Sequence, residues 1–181
     1  MHYAQPAITG AVGWKPPGGL HVRLGTLDDA REIAALWARA HERLRDRSGA
    51  SVSDAVLDAI YERINRAQSC FLLGLDGKTL VGTLCAAYVT RSIGLRRERR
   101  RELHLSMLSV DPTYWRRGVE RELVGRALGL ARAKSARVVR LWTRAEPSPN
   151  FFERCGFRFD HCWKLDLGGD LCARYRYEID R

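Results

Sequence analysis

Hydrophobic spacing along the chain switches repeatedly between the two-residue period of a strand and the three-to-four-residue period of a helix. His21-Val22-Arg23-Leu24 alternates and predicts a first strand. Thr26 is placed to cap a helix, with Asp28 and Asp29 in its first turn. Ala30, Ile33, Ala34, Trp37 and His41 then share one face as far as about Arg45, where Arg47-Ser48-Gly49-Ala50 breaks the pattern. A second helix opens at Ser53 and carries Val56, Leu57, Ile60, Tyr61 and Ile64. Cys70 to Leu75 and Leu80 to Val89 flank Asp76-Gly77, a strong hairpin signal.

Leu103 to Val110 is an apolar run that reads as a buried strand, closed by Asp111-Pro112 because Pro cannot donate to a ladder. The basic loop Tyr114-Trp115-Arg116-Arg117-Gly118 follows, and a helix opens at Val119 with Leu123, Val124, Ala127, Leu128 and Ala131 on one face. Arg137 to Thr143 predicts another strand. Pro147, Ser148 and Pro149 precede a short helix through Arg154, which Gly156 is suited to end. Phe157 to Leu167 and Leu171 to Ile179 predict a final hairpin around Gly168-Gly169-Asp170. Residues 1–19 are rich in Pro and Gly without periodicity and read as an arm, leaving residues 20–181 as one domain. The element order predicts a single α/β domain: a mixed, mostly antiparallel sheet of about six to seven strands flanked by about four helices. A parallel crossover through the central helix should join the fourth strand to the fifth.

At 181 residues, 45% apolar and 29% charged, the composition is that of an ordinary soluble domain. No run of apolar residues is long enough to span a membrane, and no secretory leader is visible, so a cytoplasmic location is expected. The 5 cysteines form no C-x-x-C pair and no zinc spacing, which fits free thiols in a reducing compartment and predicts no metal. A net charge of +10 suits a polyanionic ligand, nucleic acid included. Five arginines less two glutamates give +3 across Arg96 to Glu102. That run is read either as a solvated hairpin tip or as a contact for an acidic partner or an RNA backbone.

The stretch from Glu102 to Arg132 carries the candidate chemistry. A strand, a turn with a Gly and a helix whose free N–H groups point back at the turn make a site for a phosphate group. Arg116, Arg117 and Arg121 add positive charge around the amides from Arg117 to Arg121. Glu120 opposes this: a carboxylate ~5 Å from a phosphate charge costs about 3 kcal/mol at an effective dielectric of ~20. It is expected to turn outward or to pair with a neighbouring arginine.

Three segments together resemble the acetyl-CoA-dependent N-acetyltransferase (GNAT) superfamily: Leu108-Ser109-Val110-Asp111-Pro112, then Trp115-Arg116-Arg117-Gly118-Val119-Glu120, then Phe151-Phe152-Glu153-Arg154-Cys155-Gly156-Phe157. The resemblance runs over roughly residues 20–180. It implies acetyl-CoA as co-substrate, with the CoA diphosphate held at Arg116, Arg117, Gly118, Val119, Glu120 and Arg121. It also implies that the backbone at Leu108, Ser109 and Val110 polarises the thioester carbonyl and pairs with the pantetheine arm, and that Phe152 lines the cofactor. The sequence departs from the family pattern where Glu120 replaces the loop's last glycine and Arg116 stands at a frequent glycine. Phe152 replaces the tyrosine that commonly serves as general acid, and the helix-start asparagine common in relatives is not matched, since only nine residues separate Thr143 from Phe152.

For a general base, Glu102 and His104 lie two residues apart and so face one side of their strand. The alternative is that His104 is a packed strand residue and Glu102 pairs with an arginine. For the acid, Phe152 has no proton to give, which leaves Tyr114, Ser148, Cys155, Tyr175 or a water. The expected activity is acyl-CoA-dependent N-acyl transfer, most simply of acetyl, to a primary amine of a small molecule or protein. The alternatives are a degenerate member that binds CoA without turnover, or a basic member acting on aminoacyl-tRNA. A homodimer is compatible with the reading, and the acceptor has no motif.

Overall fold

The computed structural model describes residues 19–45, 54–93, 98–144, 149–164 and 171–179. The N-terminal arm up to residue 18, Ser53, the break at Arg47 to Ala50, Arg96, Arg97, Pro147, Ser148 and the Gly168-Gly169-Asp170 turn lie outside the described residues. Seven strands form one sheet: β1 Leu20–Leu24, β2 Ser69–Asp76, β3 Thr79–Ile93, β4 Glu98–Val110, β5 Val138–Arg144, β6 Arg158–Lys164 and β7 Leu171–Glu178. Four helices accompany them: α1 Ala30–Arg45, α2 Asp54–Asn65, α3 Val119–Ala133 and α4 Pro149–Arg154. The spatial order is β1-β2-β3-β4-β5-β7-β6, and only the β4–β5 pairing is parallel, as the crossover through α3 requires.

The apolar residues separate into two layers. On one face, Ile33, Ala34 and Leu36 of α1 and Ile60 of α2 bury Phe71, Leu73, Leu75, Leu80 and Cys85. On the other, Val119, Leu123, Val124, Ala127, Leu128 and Ala131 of α3 cover Leu72, Leu84, Leu103, Leu105, Val139 and Leu141, with Phe152 of α4 in the same cluster. The α3 residues recur at three and four residue steps, so one stripe of the helix meets the sheet.

Three features differ from the sequence expectation. The first helix starts at Ala30 after a single 3-10 turn, Leu27–Asp29. Asp29 is buried and accepts hydrogen bonds from the Thr26 N–H at 2.7 Å and from both Arg23 guanidinium nitrogens at 2.8 and 2.6 Å. It is an internal staple rather than a loose first-turn acid. Secondly, Glu98 to Arg101 belong to β4 and pair with Thr90 to Ile93 of β3, so this part of the charged run is strand. Thirdly, β7 inserts between β5 and β6, so the final hairpin joins the sheet by its second strand.

Candidate active site

Two departures from regular pairing make the site. In the β3–β4 ladder, Cys85 faces Ser106 and Thr83 faces Ser109. Two steps on β3 therefore match three on β4, which is a β-bulge at Met107 and Leu108. Met107 takes φ 52, an uncommon conformation for a side chain with a Cβ. Beyond the bulge, β4 stays with β3 while β5 stays with β7 as far as Arg144. The parallel β4–β5 ladder spans only Glu102 to Leu105 against Val138 to Leu141. The two central strands part above that point, which leaves the β4 edge from Ser106 to Val110 without a β5 partner. Ser109 lies in this part of β4, and its Oγ is buried with no hydrogen-bond partner.

At the top of the gap, β4 runs into the loop that opens α3. Asp111 binds the Thr113 N–H at 3.1 Å and its hydroxyl at 2.7 Å, and pairs with Arg39 of α1 at 3.2 Å. Burial pushes the Asp111 carboxyl up, but these bonds from Thr113 and Arg39 hold it below its ordinary value. The Trp115 indole donates to the Val110 carbonyl at 2.9 Å. An open groove of about 470 Å³ lies between Arg39 and this loop, lined by Asp111, Pro112, Thr113 and Trp115.

Arg116 at φ 59 and Gly118 at φ 83 both take left-handed conformations, and Gly118 caps α3 with no side-chain hydrogen bond. Among the described residues no side chain from outside the helix caps the first-turn N–H groups of α3, which carry the positive end of its dipole. Arg116, Arg117 and Arg121 are exposed and form no ion pair with any described residue, while Arg117 lies 5.2 Å over the Tyr114 ring. Glu120 forms no ion pair with any described arginine. It is half-buried, burial pushes its carboxyl above the ordinary value, and its own backbone N–H pulls the other way.

These features fit a diphosphate-bearing thioester: uncapped amides, three arginines and an unpaired strand edge beside them.

The sequence-derived residues fall into two groups. Leu108, Ser109, Val110, Arg116, Arg117, Gly118, Val119, Glu120 and Arg121 are contiguous along the bulge, the loop and the first turn of α3. Val119 is also core, as its 1% exposure shows. Phe152 is 7% exposed and packs in a ring cluster with Phe157 and Tyr175 at centroid distances of 6.0 and 5.8 Å, which makes it part of the floor.

Glu102 and His104 share the sheet face opposite α3, as their spacing predicts. Glu102 is 4% exposed and its two oxygens take the Arg140 guanidinium at 3.0 and 3.4 Å. Arg140 reaches Asp160 at 3.4 Å, and Arg174 binds the same carboxylate. The alternative reading, Glu102 paired with an arginine, is what the structure shows, while its extension to Asp160 and Arg174 had no local signal because the members come from four strands. His104 lies edge-on to Trp142 at 5.7 Å. A cleft of about 70 Å³ is lined by His104, Glu102, Val89, Arg140, Trp142 and Arg174.

Of the candidate acids, Tyr114 donates its proton to Asp76 at 3.0 Å, and that bond raises its proton affinity. Tyr175 is buried, and burial pushes its phenol up, with Glu153 and Cys162 adding to the effect. Burial also pushes the half-buried Cys155 thiol up, against Arg121 and Arg154. Among the described residues no group of His, Cys, Asp and Glu could hold a metal ion. No described helix is long and apolar enough to cross a membrane.

Residues 33–157 match the family model described as acetyltransferase (GNAT) family, and the chain belongs to that family. The fold is shared with solved structures at low identity. PaiA N-acetyltransferase from Thermoplasma acidophilum, solved with coenzyme A, aligns at TM-score 0.68 and 15% identity over 88% of this chain and 99% of its own. Arabidopsis thaliana NAA60, solved with acetyl-CoA, aligns at 0.66 and 15% over 88% and 98%. The ribosomal-protein-S18-alanine N-acetyltransferase from Escherichia coli aligns at 0.65 and 15% over 90% and 95%. A search of curated proteins by sequence found no match.

Proposed function

We propose that this protein transfers an acyl group, most simply acetyl from acetyl-CoA, to a primary amine of a small molecule or a protein. The observation that carries the reading is the parting of β4 from β5 directly below an arginine-ringed α3 N-terminus that no outside side chain caps. Family membership and solved relatives holding CoA or acetyl-CoA support it. Acetyl-CoA, when bound, supplies an activated thioester carbonyl.

The chain's own residues do the rest. Amides from Gly118 to Arg121, with the Arg116, Arg117 and Arg121 guanidinium groups, hold the diphosphate. Amides of the Leu108 to Val110 edge receive the thiol arm as an added strand and face the carbonyl where charge develops. His104 removes a proton from the ammonium of the acceptor, directly or through a water. Glu102, fixed by Arg140, is a positioning residue beside it. The proton returned to the sulfur comes from Tyr114, Ser148, Cys155, Tyr175 or a water. All five cysteines are free, which suits a cytoplasmic setting.

A second reading, CoA binding without turnover, draws on Glu120 as an acid in the first turn of α3 and on Phe152 packed as core. One assay separates the two. Free thiol released from acetyl-CoA over a panel of amines, above the rate without protein, supports transfer. A melting shift with CoA but no thiol release supports binding alone, and neither signal removes both.

A further inference from the structure

The sheet face opposite α3 is covered unevenly. α1 and α2 bury Phe71, Leu73, Leu75, Leu80 and Cys85 there, and that buried cluster takes no residue from β5, β6 or β7. Leu141 belongs to the cluster under α3, so alternation along β5 turns Trp142 to the other face. Trp142 is 50% exposed. A large ring turned half to water is informative, because burial of such a ring is where most of its stabilising area lies.

Its position along β5 is equally specific. Leu105 with Leu141 is the last pair of the β4–β5 ladder, so Trp142 is the first β5 residue past the fork. A thiol arm lying along the β4 edge brings its acyl carbon into that same gap. The indole stands edge-on to His104 at a centroid distance of 5.7 Å and lines one cleft with it, together with Val89. A base, an indole and the mouth of the gap thus share one corner.

The charges of that corner are matched among themselves. Both Glu102 oxygens take Arg140, and Asp160 takes Arg140 and Arg174. Arg140 is the more exposed partner of Glu102, so a second ammonium on an acceptor would meet guanidinium before carboxylate. Val89 and Trp142 offer an apolar wall and a π face instead.

Resting on the transferase reading above, we propose that Trp142 sets the choice of acceptor: its indole carries the aromatic ring of a primary amine whose nitrogen enters the cleft beside His104. The acceptor class is an amine joined to a ring by a short aliphatic chain, not a polyamine. The cleft, about 70 Å³, has room for an aminoalkyl head of a few heavy atoms, which leaves the ring outside against the indole. Trp142 determines specificity and takes no part in bond making.

The test measures thiol release from acetyl-CoA with phenylethylamine, butylamine and spermidine, for the wild type, Trp142→Ala and Trp142→Phe. In the wild type, kcat/KM for phenylethylamine should exceed that for butylamine about tenfold, carried by KM, with spermidine lowest. Trp142→Ala should erase this preference through KM, and Trp142→Phe should retain most of it. A purely structural role would weaken all three amines alike. NMR of the Trp142 indole N–H, identified by its loss in Trp142→Phe, supplies a reading independent of turnover. With CoA present, that signal should shift saturably on adding phenylethylamine and stay in place with spermidine. Thiol release with no preference for the ring, or a preference that survives Trp142→Ala, would overturn the proposal and leave the transferase reading standing. A saturable indole shift with no thiol release from any amine would support the ring site and overturn transfer. An unmoved indole signal would overturn the ring site.

Discussion

The first residue of α3 sits where Gly82 has no side chain. A Cβ on Gly82 would come within 2.6 Å of the Val119 Cγ1 and 3.0 Å of the Leu123 Cδ1. Val119 is 1% exposed and cannot retreat into solvent, so the helix start is seated on β3 through a missing side chain. The contact sets the height of the uncapped amides relative to the β4 edge. Gly82→Ala should force the helix outward at a cost of about 1–3 kcal/mol. At this chain length that is a fall in Tm of roughly 2–4 °C per kcal/mol, with weaker CoA binding alongside it. Thermal unfolding with and without CoA checks both, and an unchanged Tm with full CoA affinity would remove the seating role.

Glu120 is the second residue of α3, half-buried in the turn whose amides would hold a phosphate. Glu120→Gln should tighten CoA by about ten- to a hundredfold, with about 3 kcal/mol as the upper limit of the Coulomb penalty. The pH dependence has a definite sign. Because burial raises the carboxyl above its ordinary value, lowering the pH from neutral neutralises Glu120 and should tighten CoA in the wild type. The difference between wild type and variant should shrink as the pH falls. A difference that is flat across pH in titration calorimetry would show that Glu120 does not face the phosphates.

Much of this anatomy was legible in the sequence, and the misses have physical causes. The strand ending at Asp111-Pro112, the glycine turn before a helix opening at Val119 and the α3 stripe all rest on local rules, and all are present. The bulge at Met107 carries no Gly, Asn or Asp to announce a left-handed residue, so the parting of β4 from β5 had no sequence mark. The lattice joining Glu102, Arg140, Asp160 and Arg174 depends on which strands lie side by side, which spacing along one strand does not reveal. The Asp29 staple did have a signal: Thr26 followed three residues later by an acid is a capping-box spacing. The hairpin expected around the arginine run is present, and what the charge pattern did not reveal is that Glu98 to Arg101 extend the ladder opposite Thr90 to Ile93.

Asp29 links acid stability to the base of α1. The Arg23 guanidinium holds its carboxyl down from 3.8 to about 2, with the Thr26 bonds helping and burial opposing. A depressed acid stabilises the folded chain fully above its unfolded value, and that stability is lost as the pH falls from about 4 towards 2. Asp29→Ala should cost about 1–3 kcal/mol at neutral pH and flatten the acid limb in that window. Urea unfolding at pH 7 and near pH 3 checks this. An equal loss at both values would contradict the assignment.

His104 and Glu102 should separate kinetically. His104→Ala should lower kcat by about 10²–10⁴ and leave CoA affinity unchanged. Glu102→Gln leaves Arg140 short of a charged partner, so it should lower Tm and shift the pH profile of kcat rather than abolish turnover. Steady-state kinetics across pH with a reactive amine distinguishes the two. Full activity in His104→Ala would assign proton removal to another group.

The most direct measurement follows backbone amides by NMR during titration with CoA. Shifts should concentrate at Gly118, Val119, Glu120 and Arg121, where the diphosphate sits, and at Leu108, Ser109 and Val110, where the thiol arm lies along the β4 edge. Saturable binding that leaves both sets unmoved, or moves only residues outside the β4–α3 junction, would contradict the account.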